Sequence, residues 1–150
     1  MKDIKPKLIR LFKEGYCTPQ ISRIAKAIDE PSATLHYNIK KLEEEGVIRT
    51  YKAAFDYRKI DEGFCTFALI SLSPTEYSDP ERIAAELAKH KEVESVNIVA
   101  GDWELIVKIR TKDQDEYFSL LKNVISKEKG ISNTKSIISL KEIKTDFIKT

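Results

Sequence analysis

No apolar run in this sequence approaches the roughly 20 consecutive residues that a membrane-spanning helix needs. The N-terminal stretch is charged and carries no apolar segment of the secretory type. The chain is therefore expected to be soluble, unprocessed and cytoplasmic, with no membrane partner. Cysteine is scarce: Cys17 and Cys65 stand alone, without CxxC spacing or a cluster of ligands nearby. That leaves no support for a disulfide framework or a zinc site, and reads both as small apolar residues suited to burial in a reducing compartment. The two histidines, His36 and His90, have no second histidine, cysteine or acid at ligand spacing, so no metal site is expected. Catalytic signatures are missing as well: there is no GxSxG, no P-loop, no dinucleotide fingerprint and no Cys/His pair. Some enzymes and metal carriers built on a βαββαβ sheet mark the first βα loop with an arginine-bearing glycine loop or a CxxC. Here that stretch reads Ser73-Pro74-Thr75-Glu76-Tyr77. The expectation is a protein without catalytic residues or cofactor.

What is present is enough apolar content, 41%, to bury cores of modest size in 150 residues, as one domain or two small ones. The net charge of +2 hides an asymmetry. Residues 1–59 hold 13 Lys/Arg against 8 Asp/Glu, whereas residues 60–150 hold 13 against 16. A basic first third on an otherwise acidic chain points to one module that meets a polyanion and another that does not.

The basic third divides into three short helical patterns. Ile4, Leu8, Leu11 and Phe12 share a helical spacing that stops at Gly15. Thr18-Pro19 offers an N-cap hydroxyl followed by proline at the first helical position, ahead of Ile21, Ile24, Ala25 and Ile28. Asp29-Glu30-Pro31 breaks that helix, and a third runs from Pro31 or Ser32 to Gly46 with Leu35, Ile39 and Leu42 inward. Three helices with a tight turn between the second and third predict a helix-turn-helix, and Val47 to Phe55 reads as a short ribbon that would make it winged. From Asp56 the sequence turns polar as far as Glu62, and Gly63 ends this connection. The boundaries expected are thus 1–55 for the DNA-binding head, 56–62 for the connection and 63–150 for a second domain.

The second domain alternates strand and helix signals: strands at 64–72, 93–100, 104–110 and 134–143, helices at 80–89 and 114–126. The order βαββαβ predicts a ferredoxin-like sheet, and with the head the fold class is α+β. In the first strand Phe64, Ala68, Ile70 and Leu72 fall on one face, yet Cys65, Phe67 and Leu69 occupy the other; the third strand sets Leu105, Val107 and Ile109 against Ile106. Two helices cover one side of such a sheet. The other side is expected to take a second copy of the chain, or else the interdomain segment folded back over it.

With Leu35, Ile39 and Leu42 inward, the opposite arc of the third helix carries Ala33, His36, Tyr37, Lys40, Lys41 and Glu44. A helix in the major groove of double-stranded DNA needs hydrogen-bonding groups near its start and cations along its flank, which Ser32, Thr34, His36, Tyr37, Lys40 and Lys41 supply. Lys40 and Lys41 can instead pair with Glu44 and Glu45, but Lys before Glu is the weaker orientation. No arginine on this helix offers the bidentate contact to guanine. Arg49 and Lys52, on the expected wing, read equally as grips on phosphate or as solvated charges.

Three strings, in order, now resemble one known family. Ile39-Lys40-Lys41-Leu42-Glu43-Glu44-Glu45-Gly46-Val47-Ile48 is similar to the recognition-helix exit of the Lrp/AsnC (feast/famine) regulators, Val99-Ala100-Gly101-Asp102-Trp103-Glu104-Leu105 to their glycine-aspartate loop, and Ser136 to Lys144 to their final strand. The resemblance covers nearly the whole chain. It implies a transcription regulator that forms a homodimer through its C-terminal sheets and assembles further to a tetramer or octamer. It also implies an amino acid or related metabolite bound between dimers near Gly101, Asp102, Trp103 and Glu104, with the hydroxyls of Thr134 and Ser136 close by. A glycine lets backbone N–H groups approach a ligand carboxylate, while Asp102 or Glu104 offers a partner for its ammonium. Gly-Asp is also ordinary turn chemistry between two strands. Trp103 and Glu104 stand where the family often has tyrosine and aspartate, and the acidic opening before the first helix is reduced to Asp3, which leaves the effector open. Two other readings are consistent with the residues: an architectural DNA-binding protein with little sequence preference, and a ferredoxin-like metabolite-binding protein whose N-terminal helices mediate protein contacts only.

Overall fold

The computed structural model describes residues 1–145; the last five residues of the expected second domain, 146–150, lie outside the described residues. The chain separates into two compact units, Met1–Ala54 and a second that starts at Phe55.

The first unit holds three helices, α1 (Lys5–Lys13), α2 (Ile21–Ile28) and α3 (Ser32–Glu44). Gly15 ends the first with a left-handed φ of 99°, and a Cβ there would come within 3.1 Å of the Tyr51 carbonyl oxygen. Glycine is required on both counts. The second helix starts later than its capping signal predicts. Gln20, extended and without a side-chain cap, provides the carbonyl that accepts the Ile24 N–H at 3.1 Å, so Thr18-Pro19 stays outside the helix. Asp29 closes this helix at φ 54°, a conformation aspartate tolerates better than a branched residue. Only Asp29, Glu30 and Pro31 separate α2 from α3.

Ala25 and Leu35 are buried between these helices, and Ile21, Ile24 and Ile39 are half-buried. Two expected core residues are not: Ile28 is 54% and Leu42 38% exposed, because both lie at helix ends beyond the reach of so thin a layer. The ribbon expected at Val47 to Phe55 does not form; residues 47–56 contain no strand. A two-stranded ribbon needs a return turn, usually with Gly or Asn at a left-handed position, and nothing from Val47 to Phe55 supplies one. The segment is an irregular loop instead. Its root is tied down by Ile48 N–H donating to Leu42 O at 3.0 Å and its middle by the Tyr51 hydroxyl donating to Glu43 at 2.9 Å.

In the second unit a single 3-10 turn, Tyr57–Ile60, precedes β1 (Phe64–Leu72), α4 (Pro80–Ala88), β2 (Val93–Ile98), β3 (Leu105–Thr111), α5 (Gln114–Asn123) and β4 (Ile131–Ile138). The order is βαββαβ, and the four strands form one antiparallel sheet in the order β2-β3-β1-β4. The start of α5 is fixed by Asp113, whose carboxylate accepts the Glu116 N–H at 2.9 Å, and by Glu116, whose carboxylate reaches back to accept the Lys112 N–H at 2.7 Å. The last strand lies three residues earlier than expected and stops at Ile138 rather than Ile143. Ser139 N–H still reaches Cys65 O at 2.9 Å, but Cys65 is the second residue of β1, so the ladder runs out of partner.

Both helices cover one face of the sheet. Ala68, Ile70, Leu72, Leu105, Val107 and Ile109 point into the core against Ile83, Leu87, Tyr117, Leu120 and Ile125. Alternation along the strands puts Cys65, Phe67, Leu69 and Ile106 on the opposite face, with Ile137 of β4 beside Phe67 and 44% exposed. One half of that face is charged rather than apolar. Lys108 and Arg110 of β3 meet Glu94 of β2 and Glu142 beyond β4, and the guanidinium of Arg110 lies 3.9 Å from the ring centroid of Tyr57.

Candidate nucleic-acid interface and effector site

The first unit presents the residues singled out for DNA on its surface. Ser32, Ala33, Thr34, His36, Tyr37, Lys40 and Lys41 of α3 are all exposed, while Leu35 between them is buried. No side chain caps the first turn of α3, so its N–H groups are open to an acceptor, and a helix N-terminus favours an anionic one. Lys41 lies 5.8 Å from the ring centroid of Tyr37, which is 63% exposed. Lys40 pairs with Glu44 at a long 3.8 Å, with both side chains more than half exposed. Arg49 and Lys52 are exposed on the irregular loop after α3 and are not part of the helix arc. Tyr51, overlooked in the sequence, links the two through its bond to Glu43; its only signal there was an aromatic residue inside a charged stretch.

In the second unit, Gly101 to Glu104 connect β2 to β3, closed by Val99 N–H donating to Glu104 O at 2.9 Å. Gly101 has a φ of 134°, and nothing lies within 4 Å of where its Cβ would be. The glycine is needed for the backbone conformation, and its surroundings are open. Asp102 is exposed and Trp103 half-buried. Glu104 is already engaged: its carboxylate accepts the Leu72 N–H at 2.9 Å, at the register shift between Ser71 and Leu72, and its own N–H donates to Ile70 O. The Ser71 hydroxyl lies 3.5 Å from Asp102 O, and Ser132 donates to the Ser71 and Leu72 carbonyls at 3.2 Å. These two serines share the loop's end of the sheet, and nothing in the sequence marked them. Thr134 sits opposite Ile70, half-buried. Ser136 is drawn away, sharing a short hydrogen bond with the buried Tyr117 hydroxyl.

Elsewhere the ionisable groups follow simple causes. Burial raises the Cys65 thiol, which makes it a poor nucleophile. Burial would lower Arg110, but its hydrogen bonds to Glu142 and Glu94 more than offset that and hold it above its ordinary value. The same bond from Arg110 holds Glu142 below the usual glutamate range. Among the described residues no group of three or more His, Cys, Asp or Glu is placed to hold a metal ion, and no helix is long and apolar enough to cross a membrane.

Residues 65–148 match the family described as the Lrp/AsnC ligand binding domain. The chain belongs to the Lrp/AsnC family. Among its Lrp/AsnC-type relatives, the HTH-type transcriptional regulator FL11 of Pyrococcus horikoshii is 31% identical over 141 residues, 94% of this chain and 90% of that one. Among solved structures, a feast or famine regulatory protein from M. tuberculosis complexed with L-methionine superposes with a TM-score of 0.73 at 25% identity, covering 97% of this chain and 95% of its own. The E. coli AsnC structure superposes with a TM-score of 0.73 at 21% identity, covering 99% and 98%. The Lrp/AsnC assignment makes the chain a transcription regulator and not an enzyme.

Proposed function

We propose that this Lrp/AsnC regulator is a cytoplasmic, sequence-specific DNA-binding protein that works as a homo-oligomer, with residues 1–55 as a helix-turn-helix head without a paired wing, 56–62 as the connection and 63–150 as the ferredoxin-like domain for assembly and sensing. The observation that carries the reading is the arc of α3, where every α3 residue expected to touch DNA is exposed while Leu35 is buried and Ile39 half-buried on the opposite side. The loop with the exposed Arg49 and Lys52 takes the place of a paired wing and adds phosphate contacts. Heads of different copies bind successive major grooves about one helical turn or a multiple apart. Self-association is supported by the partly exposed apolar patch of Phe67, Leu69, Ile106 and Ile137, on the sheet face opposite the two helices.

The effector is an amino acid or a related metabolite, bound between dimers against Gly101, Asp102, Trp103, Glu104, Thr134 and Ser136. Since Glu104 is committed to Leu72 N–H, the exposed Asp102 is the carboxylate free to take an ammonium. Binding there shifts the oligomer or the head spacing, and with it occupancy of DNA.

A second reading, an architectural protein with little sequence preference, is favoured by one feature: α3 carries no arginine for bidentate guanine recognition. Selection from random duplexes at near-physiological salt, on protein of known oligomeric mass, separates the two. A palindromic consensus supports the specific regulator; retention of bulk DNA without a consensus supports the architectural protein; no binding even at low salt defeats both. Lys40→Glu or Tyr37→Ala is expected to weaken binding about tenfold or more while the oligomeric mass stays unchanged, and loss of the oligomer in both variants would overturn the division into head and assembly domain.

A further inference from the structure

One cation in the second unit holds together three parts of the chain that are far apart in sequence. Arg110, 7% exposed, donates through Nε to Glu94 of β2 at 3.1 Å and through Nη2 to Glu142, beyond the end of β4, at 2.7 Å. The Cζ of the same guanidinium lies 3.9 Å from the ring centroid of Tyr57, the first residue of the 3-10 turn that precedes the sheet. Lys108 braces both carboxylates, Glu94 at 3.1 Å and Glu142 at 3.7 Å.

The carboxylates take N–H groups at the edge of the guanidinium whereas the ring meets its central carbon, so the three contacts do not compete. They reinforce one another. Two carboxylates at the edge fix the plane, and a fixed plane offers a steady face to the ring. Removing Glu142 leaves a nearly buried cation with half of its edge unpaired, free to tilt off Tyr57. Removing the ring exposes the guanidinium to water, which competes for Glu142.

We propose that Arg110 is a latch that couples the Tyr57–Ile60 turn to the segment following β4, so that releasing either one loosens the other. The coupling lies wholly within the second unit and does not depend on what the protein binds. It gives the chain a regulatory element: any partner or ligand that draws Glu142 away also frees the turn that begins the connection. Coupling of this kind is reciprocal by necessity, and reciprocity makes it testable in both directions.

Trypsin reads both ends in the full-length protein, because Arg58 and Lys59 lie in the exposed turn and Lys144 in the exposed segment beyond β4. Initial cleavage rates at each site would be followed by mass spectrometry. Glu142→Gln is expected to raise cutting after Arg58 or Lys59 about fivefold, as local opening grows while cutting at Lys122 and Lys127 stays unchanged. Tyr57→Leu is expected to raise cutting after Lys144 to a similar extent. Arg110→Lys, which keeps the charge and loses the planar fork, is expected to do both. Glu86→Gln, which breaks the ordinary exposed pair with Lys89 at 2.6 Å, is expected to do neither. A change at one end only, or equal acceleration at Lys122 and Lys127, would overturn the latch.

Discussion

The two units of this chain solve the problem of holding a fold in different ways. Among the described residues the head buries two apolar side chains, Ala25 and Leu35, and leaves Ile28, Leu42 and Val47 largely in water. The sheet unit buries twelve, from Cys65 to Ile125, most of them in one continuous cluster between a sheet and two helices. A layer as thin as the head has little apolar contact to spare, so its helices are positioned by turns and caps: Gly15, Asp29, and the bond from Tyr51 to Glu43. Its surface is correspondingly free for charge. The sheet unit does the reverse. Where it places charge on a sheet face, it pairs it, as Arg110 and Lys108 show.

The largest expected effect tests this contrast directly. Ile83 is fully buried against the sheet, and Ile83→Ala is expected to cost about 2–5 kcal/mol, the range for a truncation that leaves a cavity in a packed core. Leu35→Ala, in a layer able to collapse around the gap, is expected near the bottom of that range, at about 2 kcal/mol. Amide exchange should separate the two. Leu35→Ala speeds exchange in α1, α2 and α3 and leaves β1 and β3 protected, whereas Ile83→Ala speeds both strands. If Leu35→Ala deprotected β1 and β3 as strongly as Ile83→Ala, the units would not be independent in stability.

How far this was legible beforehand follows the same division. The apolar runs in Phe64 to Leu72 and Glu104 to Arg110, bounded by turn signals, are enough to assign strands and the βαββαβ order, and the two-residue period then sorts their positions into two faces. The Leu35 arc of α3 was equally readable, since one buried position in a helix fixes the opposite surface. The sequence misled where an outcome depends on partners far along the chain. Nothing local in Thr134 to Ile143 shows that β1 is too short to pair beyond Ser139, and nothing near Glu104 shows that Leu72 N–H will claim its carboxylate. The wing failed for a different reason: Val47 to Phe55 has strand-like composition but no residue suited to a return turn. For the α3 residues exposure was readable, whereas Ser71, Ser132 and Tyr51 came only from the fold.

A smaller effect sharpens the contrast in charge pairing. Glu142 is held below its ordinary value by the bond from Arg110, helped by Lys108, with Glu94 and Tyr57 the other titratable groups at that cation. A depressed carboxylate stabilises the folded state fully above its unfolded value, near 4.5, and that contribution disappears as the pH falls through the lower folded value. Denaturation midpoints of the wild type and Glu142→Gln should therefore differ most at neutral pH and draw together as the pH falls below 4.5. A difference that stayed constant down to pH 3 would mean that the Glu142 side chain stabilises by packing and not by charge.

The smallest expected effect belongs to the head. Lys40 and Glu44 stand 3.8 Å apart in the weaker helical orientation with both side chains largely in water, so Glu44→Gln should change stability by less than about 0.5 kcal/mol. Its effect on DNA binding should have the opposite sign to that of most surface substitutions. Removing a carboxylate beside Lys40 lowers the local negative charge that a phosphate must approach, and it frees the ammonium from a pair that binding would otherwise break. Affinity for duplex DNA, read by fluorescence anisotropy, is expected to rise by a factor of about two to three, most at low salt. An unchanged affinity at every salt concentration would place Lys40 away from the phosphate backbone, and would shift the basic contact of the head towards Lys41, Arg49 and Lys52.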